Sequence, residues 1–414
     1  MKNFRVEHYE LTRRYFLQLG AAGLAAQQLL PLAAAEEKAP LQQAISELEY
    51  LTPQDEFQDV SRGNPLPHKL SAEEKTAAGL TRETWRLEIV ADPESDSDLR
   101  NPLSLEADNA LDWDGLMSLA KQRTVAFPKI MTCNNLGCPL GMGIWEGVPL
   151  RDAIWLTKPR KNVRRIFYHG FHNHDPQQIF RSSLPIGRVL EDPLGLPPVI
   201  LCFKLNGEYL NSERGGPVRL VAPEAYGFKS VKWLNRVTLT NLFHANDTYA
   251  AKNNDIDSWL KTFAATISIA QELKPEQPIP VTGYAQVGIS GLSKVQYLVT
   301  PADDDPPADD PYLTQADWQD ADILAPPTHW GGDLPSDALL KRTLGFTPQG
   351  QPEKWPLRLS KAHWATVVPG LPEGEYTFRC RTVDANGIAQ PLPRPFAKSG
   401  RNAIEQIDLT VSAV

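Results

Sequence analysis

Residues 131–137 read Met-Thr-Cys-Asn-Asn-Leu-Gly, and residues 143–152 read Gly-Ile-Trp-Glu-Gly-Val-Pro-Leu-Arg-Asp. Cys133 therefore ends a short apolar stretch and is followed by an Asn/Gly-rich loop, a tryptophan and the start of a helix. An ionised thiol so placed is a nucleophile or a soft metal ligand; the plainer alternative is a small buried hydrophobe. Cys138 stands five residues on and competes for the ligand role, and a Cys133–Cys138 disulfide would consume it in an oxidising compartment. Cys202 lies within an apolar run and Cys380 alternates with Phe378, so both read as core. Other chemistries lack their motifs. The chain has no nucleotide-type phosphate loop, no Cys-x-x-Cys-His for c-type haem, no His-Glu-x-x-His zinc helix and no Gly-x-Ser-x-Gly elbow; Gly288-Ile289-Ser290-Gly291 has the wrong spacing.

Several elements must hold these residues. Trp85, Leu87 and Ile89 alternate with Arg86 and Glu88, which predicts a half-buried strand. A helix is expected over Trp113–Gln122 and a short strand over Pro128–Thr132, ending at Cys133. A second helix is expected from Leu150, with strands over 163–168, 199–205 and 217–222. Residues 36–80 are polar and loop-like. Pro-rich residues 274–280 precede short alternating runs with Gly/Pro turns, the pattern of a β-sandwich. Residues 303–322 hold eight Asp in 20 positions, a solvated loop or an acidic docking patch.

The N-terminus looks like an address. Arg13-Arg14 with Phe16-Leu17 precedes an Ala-rich, weakly apolar run that ends at Ala33-Ala34-Ala35, similar to a twin-arginine export signal. Export through the twin-arginine machinery and cleavage near Ala35 would leave a soluble periplasmic protein. The full chain of 414 residues carries −8; removing four basic and two acidic residues, a net +2, leaves −10. Without a basic excess, nucleic acid is excluded as an expected partner. With 42% hydrophobic and 22% charged residues, the chain is expected to be globular, with more than one domain.

Five segments in order resemble the sulfite oxidase family of molybdopterin enzymes. They are the Cys133 loop, Trp145-Glu146-Gly147-Val148-Pro149-Leu150-Arg151-Asp152, Leu205-Asn206-Gly207-Glu208, Pro217-Val218-Arg219-Leu220-Val221-Ala222-Pro223 and Val231-Lys232-Trp233-Leu234. The resemblance implies an α+β fold: a mixed α/β molybdopterin-binding domain over 36–265, then an immunoglobulin-like β-sandwich over 276–414 that could form a homodimer. It implies a molybdenum–molybdopterin cofactor with Cys133 as the metal ligand. Arg219 would meet the cofactor's phosphate, with Arg214 nearby and Ser230, Val231 and Lys232 forming the surrounding loop. Arg62 and Asn64, in Phe57-Gln58-Asp59-Val60-Ser61-Arg62-Gly63-Asn64, and Asn173 would meet the pterin edge.

The substrate side departs from that family. Cys138 stands where sulfite oxidases place an arginine, and Phe180 where they place a tyrosine. Arg62, Trp145, His174, Phe180 and Arg181 are the candidates for the substrate pocket, with His172 as the alternative to His174. The expected activity is oxygen-atom transfer that oxidises a sulfur compound, with electrons passed to a c-type cytochrome because this chain attaches no haem. A sulfoxide or other oxo-substrate reductase and a non-catalytic interaction protein are the alternatives.

Overall fold

The computed structural model describes His8 and residues 48–134, 139–160, 162–269, 273–391 and 396–413. The expected export signal and Cys138 lie outside these residues. Strands dominate. Strands β1 (Arg86–Ala91), β2 (Leu111–Asp112), β5 (Arg165–Gly170), β6 (Ser182–Pro185) and β10 (Leu234–Thr240) form a sheet in the order β2-β1-β10-β5-β6, with β1 and β10 parallel. A second sheet runs β3 (Val125–Thr132), β4 (Pro139–Pro149), β7 (Ile200–Leu205), β8 (Glu208–Tyr209), with β9 (Arg219–Val221) also paired to β7. Helices α2 (Trp113–Gln122), α3 (Leu150–Leu156) and α4 (Ile186–Leu190) accompany these sheets. The α2 helix starts where Asp112 accepts a hydrogen bond from Gly115 N at 2.8 Å, an ordinary N-cap.

The third sheet has seven antiparallel strands in the order β11 (Phe263–Ile269), β12 (Ile279–Gln286), β15 (Lys361–Val368), β14 (Gln319–Ile323), β13 (Lys294–Pro301), β16 (Gly374–Val383), β17 (Glu405–Val411). It curls on itself, because Thr266 N of β11 donates to the Glu405 carboxylate of β17. The curl encloses Val281, Ala285, Val295, Trp364, Phe378 and Cys380, a near-closed arrangement compatible with an immunoglobulin-like fold. Mixed α/β sheets followed by a strand-rich C-terminal half agree with the expected class.

Three expectations need correction. The proposed division between 265 and 276 leaves most of β11 outside both domains, whereas β11 pairs with β12 and belongs to the C-terminal sheet. Residues 36–80 are not all loop. Ser71 and Glu74 form a reciprocal capping box that starts α1 (Ala72–Ala77). The acidic stretch ends in β14, held between β13 and β15. The two halves share a core: Ile130, Met142 and Ile144 pack in one cluster with Leu324, Trp330, Leu359 and Ala365. The C-terminal half thereby backs the strands that lead to Cys133. Among the described residues no helix is long and apolar enough to cross a membrane.

Candidate active site

Cys133 follows β3 directly and is a free, partly exposed thiol. Its neighbours fix it. Thr132 donates to Gln286 Oε1 at 2.6 Å, and Gln286 in turn donates to Lys261 O at 2.7 Å. Asn134 donates to Ser258 Oγ at 3.2 Å. Further back along β3, the wholly buried Lys129 donates to Pro223 O at 2.8 Å and Ala225 O at 2.6 Å, tying β3 to the segment after β9. Pro128 is tolerated because β3 is the edge of its sheet. Ile130 N on the open side finds Leu359 O at 2.7 Å.

Cys133 opens onto a cleft with about 970 Å³ of empty space, part of it open to solvent. Arg214, Arg219 and Lys232 gather along it. Arg214 and Arg219 are 2% and 4% exposed, and Arg219 donates to Arg214 O at 2.9 Å and to Ser230 O. Burial, with Arg214 alongside, pushes the Arg219 guanidinium down to about 10. Lys232 donates to Asp59 Oδ1 and Ser61 Oγ, both at 2.8 Å. Burial foremost, then Arg219, lowers Lys232 to about 8 in spite of that carboxylate. Gly215 makes room here, since a Cβ on it would lie 2.6 Å from Lys232 Cβ. Gly141 likewise admits the Phe57 ring, which brings the loop bearing Asp59, Ser61 and Arg62 onto the cleft.

The remaining wall is aromatic. Tyr249 stacks on Phe228 with centroids 3.9 Å apart, and Phe180 meets Tyr249 edge-on at 6.0 Å. Arg62 lies over the Phe180 ring at 4.5 Å. Burial raises the Tyr249 phenol above its usual value and lowers the His172 imidazole below its own, disfavouring the charged form of each.

The arrangement has a donor set for an anionic cofactor. Both Arg214 Nε and Arg219 Nε are buried without a hydrogen-bond partner. Such donors are costly unless a ligand completes them. A family description, "Oxidoreductase molybdopterin binding domain", matches residues 78–246. Mitochondrial sulfite oxidases of Rattus norvegicus and Drosophila melanogaster are 26% and 25% identical over 170 and 149 residues. Residues 78–246 carry a molybdopterin-binding oxidoreductase domain similar to that of the sulfite oxidases. The aligned parts of those two relatives cover 39% and 32% of this chain, and 30% and 26% of theirs. Nitrate reductase [NADPH] of Beauveria bassiana is 27% identical over 113 residues, which is 26% of this chain and 12% of that one. The chain thus matches less than a third of each of these curated relatives. The solved sulfane dehydrogenase SoxCD of Paracoccus pantotrophus shares the fold at TM-score 0.55 and 17% identity, covering 79% of this chain and 76% of that one.

The cleft brings together most of the expected residues: Arg62, Cys133, Trp145, Phe180, Arg214, Arg219, Ser230, Val231 and Lys232. Four others are not on its lining. Asn64 binds Gln178 Oε1 through its backbone N, and Asn173 donates to Pro65 O at 2.7 Å, so both tie loops together. His174 packs edge-on against Phe171, and its neighbour His172 lines the cleft instead. Arg181 lies over Phe167 and donates to Asn246 O, away from the cleft. Ser61, Phe228 and Tyr249 on the lining, and Asp59 beside Lys232, are among the residues that sequence reasoning did not single out. Asp59 and Ser61 do sit in the polar segment that carries Arg62, which was a usable signal.

Proposed function

We propose that this chain is a periplasmic molybdenum oxidoreductase that adds an oxygen atom to a reduced sulfur compound and passes the electrons to a c-type cytochrome. The observation that carries the reading is the shared cleft: a fixed, accessible thiol opens onto it, and so do two buried arginines with unused donors. Water supplies the oxygen, and two electrons and two protons leave with each turnover. When bound, the molybdenum cofactor supplies oxygen-atom transfer at the metal. Cys133 would ligate the molybdenum, a soft donor suited to it. Arg214, Arg219 and Lys232 would hold the phosphate, each contact worth about 1.5–3 kcal/mol. Ser230 and Val231 would border the pterin, while Phe57 and Trp145 exclude water from the salt-bridged end.

The sulfur assignment draws support from the fold shared with the sulfane dehydrogenase. The periplasmic assignment draws on the Arg13-Arg14 segment. The test is the metal and pterin content of the exported full chain, followed by reduction of a cytochrome with candidate sulfur compounds. Stoichiometric molybdenum and substrate-dependent cytochrome reduction are expected. Metal-free protein from molybdenum-replete cells would overturn the reading, and sulfoxide-dependent oxidation of a reduced donor would reverse its direction.

A further inference from the structure

Charge is distributed unevenly in the cleft. Arg219 reaches Arg214 by a hydrogen bond, and both lie close enough to Lys232 to lower its affinity for a proton. These three cations therefore form one group. The wall formed by Phe180, Phe228 and Tyr249 is a second group, joined by ring contacts. Cys133, Asn134 and Arg62 line the same cleft as this wall. His172 also lines this cleft, and burial disfavours its charged form. Arg62 lies over the Phe180 ring from an exposed position.

We propose that Phe180 determines specificity at this site, by holding Arg62 at the rim and giving the reacting end an uncharged aromatic wall. The subsite takes a soft, low-charge sulfur group on an apolar stem and disfavours small dianions. The reasons are physical. Sulfur makes favourable contacts with ring edges and needs no charged donor. A dianion entering a partly desolvated site must replace its water with charge-assisted donors. Here the nearest guanidinium is engaged with a ring. This assignment rests on the oxygen-transfer reading for its turnover arm, but its binding arm is independent of that reading.

The experiment compares Phe180→Leu, which removes the ring, and Phe180→Tyr, which keeps it, with the wild-type protein carrying its cofactor. Thioanisole and sulfite serve as neutral and dianionic substrates with an artificial electron acceptor. Sulfate serves as a non-reacting dianion in titration calorimetry. Phe180→Leu is expected to lower kcat/KM for thioanisole and to tighten sulfate binding, each by roughly three- to tenfold, as Arg62 is released. Phe180→Tyr is expected to keep the wild-type preference. A change in the same direction and size for both classes of ligand would show a merely structural role and overturn the assignment, as would unchanged sulfate affinity in Phe180→Leu. If molybdenum-loaded wild-type protein turns over neither substrate, the oxygen-transfer reading fails, and the sulfate titration still decides the role of Phe180.

Discussion

Hydrogen bonds of Thr132 and Asn134 hold Cys133, and none of them involves Arg214, Arg219 or Lys232, so the proposed metal ligation and phosphate binding can be tested one residue at a time. Cys133→Ser is expected to abolish turnover and leave the pterin bound, measured as the fluorescence of the oxidised pterin released from purified protein. Loss of pterin together with activity would show that the thiol also holds the organic part. Arg219→Ala is expected to do the opposite, lowering pterin occupancy. One charge-assisted contact is worth about 1.5–3 kcal/mol, or roughly 10- to 150-fold in affinity. That Cys133, Arg219 and Lys232 come together was legible in the sequence because each sits within a contiguous segment of distinctive residues. Asn173, His174 and Arg181 do not line the cleft, and for the first two the reason is local. Asn173 and His174 both have left-handed backbone, at φ 55°, so the chain turns there and leaves His172 on the cleft. A reading that places the segment but not its turn misses by one or two residues. Tyr249 and Phe228 come from loops with no distinctive pattern, and only folding brings them together.

At the scale of elements, β3 carries the site and Lys129 anchors β3. Lys129 is pushed down to about 7 by burial, with Glu224 opposing and Arg219 reinforcing the shift. Its amine can donate to Pro223 O and Ala225 O whether charged or neutral. The folded-state value lies below the unfolded value of roughly 10.4, so between these limits the unfolded chain binds more protons. The burial penalty is therefore fully present below about pH 7 and is relieved as pH rises toward 10. Lys129→Met is expected to lose the two carbonyl contacts at a cost of about 1–3 kcal/mol. Its stability deficit relative to wild type should widen from pH 7 to pH 9 in paired urea denaturations. A constant deficit would mean that Lys129 is charged in the fold throughout. Gln286→Leu is a second element-scale test. It removes the acceptor of the buried Thr132 hydroxyl, and is expected to cost about 1–3 kcal/mol in the same assay. Unchanged denaturation would remove β12 from the support of the site. The α2 helix was legible from its apolar face, and its Asp112 cap confirms why it starts there. In contrast, β11 was cut short because the strong Pro signal lies after it, while its pairing with β12 is a long-range choice.

For the whole molecule, the electron path is the remaining question. The sequence has no haem-attachment motif, and the expected mature charge is −10, from −8 less the +2 of residues 1–35. Most of the acidic segment is solvent-exposed: Asp303, Asp304, Asp305, Asp309, Asp317 and Asp320 are all open, although Asp320 is engaged by Lys294 at 2.6 Å. Such a surface attracts a basic cytochrome over distances set by the ionic strength. The screening length shrinks from about 30 Å at 0.01 M salt to about 8 Å at 0.15 M. The second-order rate constant for reduction of a basic c-type cytochrome should therefore fall by roughly tenfold or more across that range. Reduction of an uncharged dye by the same enzyme should hardly change. Replacing Asp303, Asp304, Asp305 and Asp309 with asparagine should flatten the salt dependence for the cytochrome and leave dye reduction intact. These four side chains lie outside the cleft, so a parallel loss of dye reduction would instead indicate damage to the fold. A cytochrome rate that ignores both salt and these substitutions would place the docking surface elsewhere and return the acidic stretch to an ordinary solvated loop.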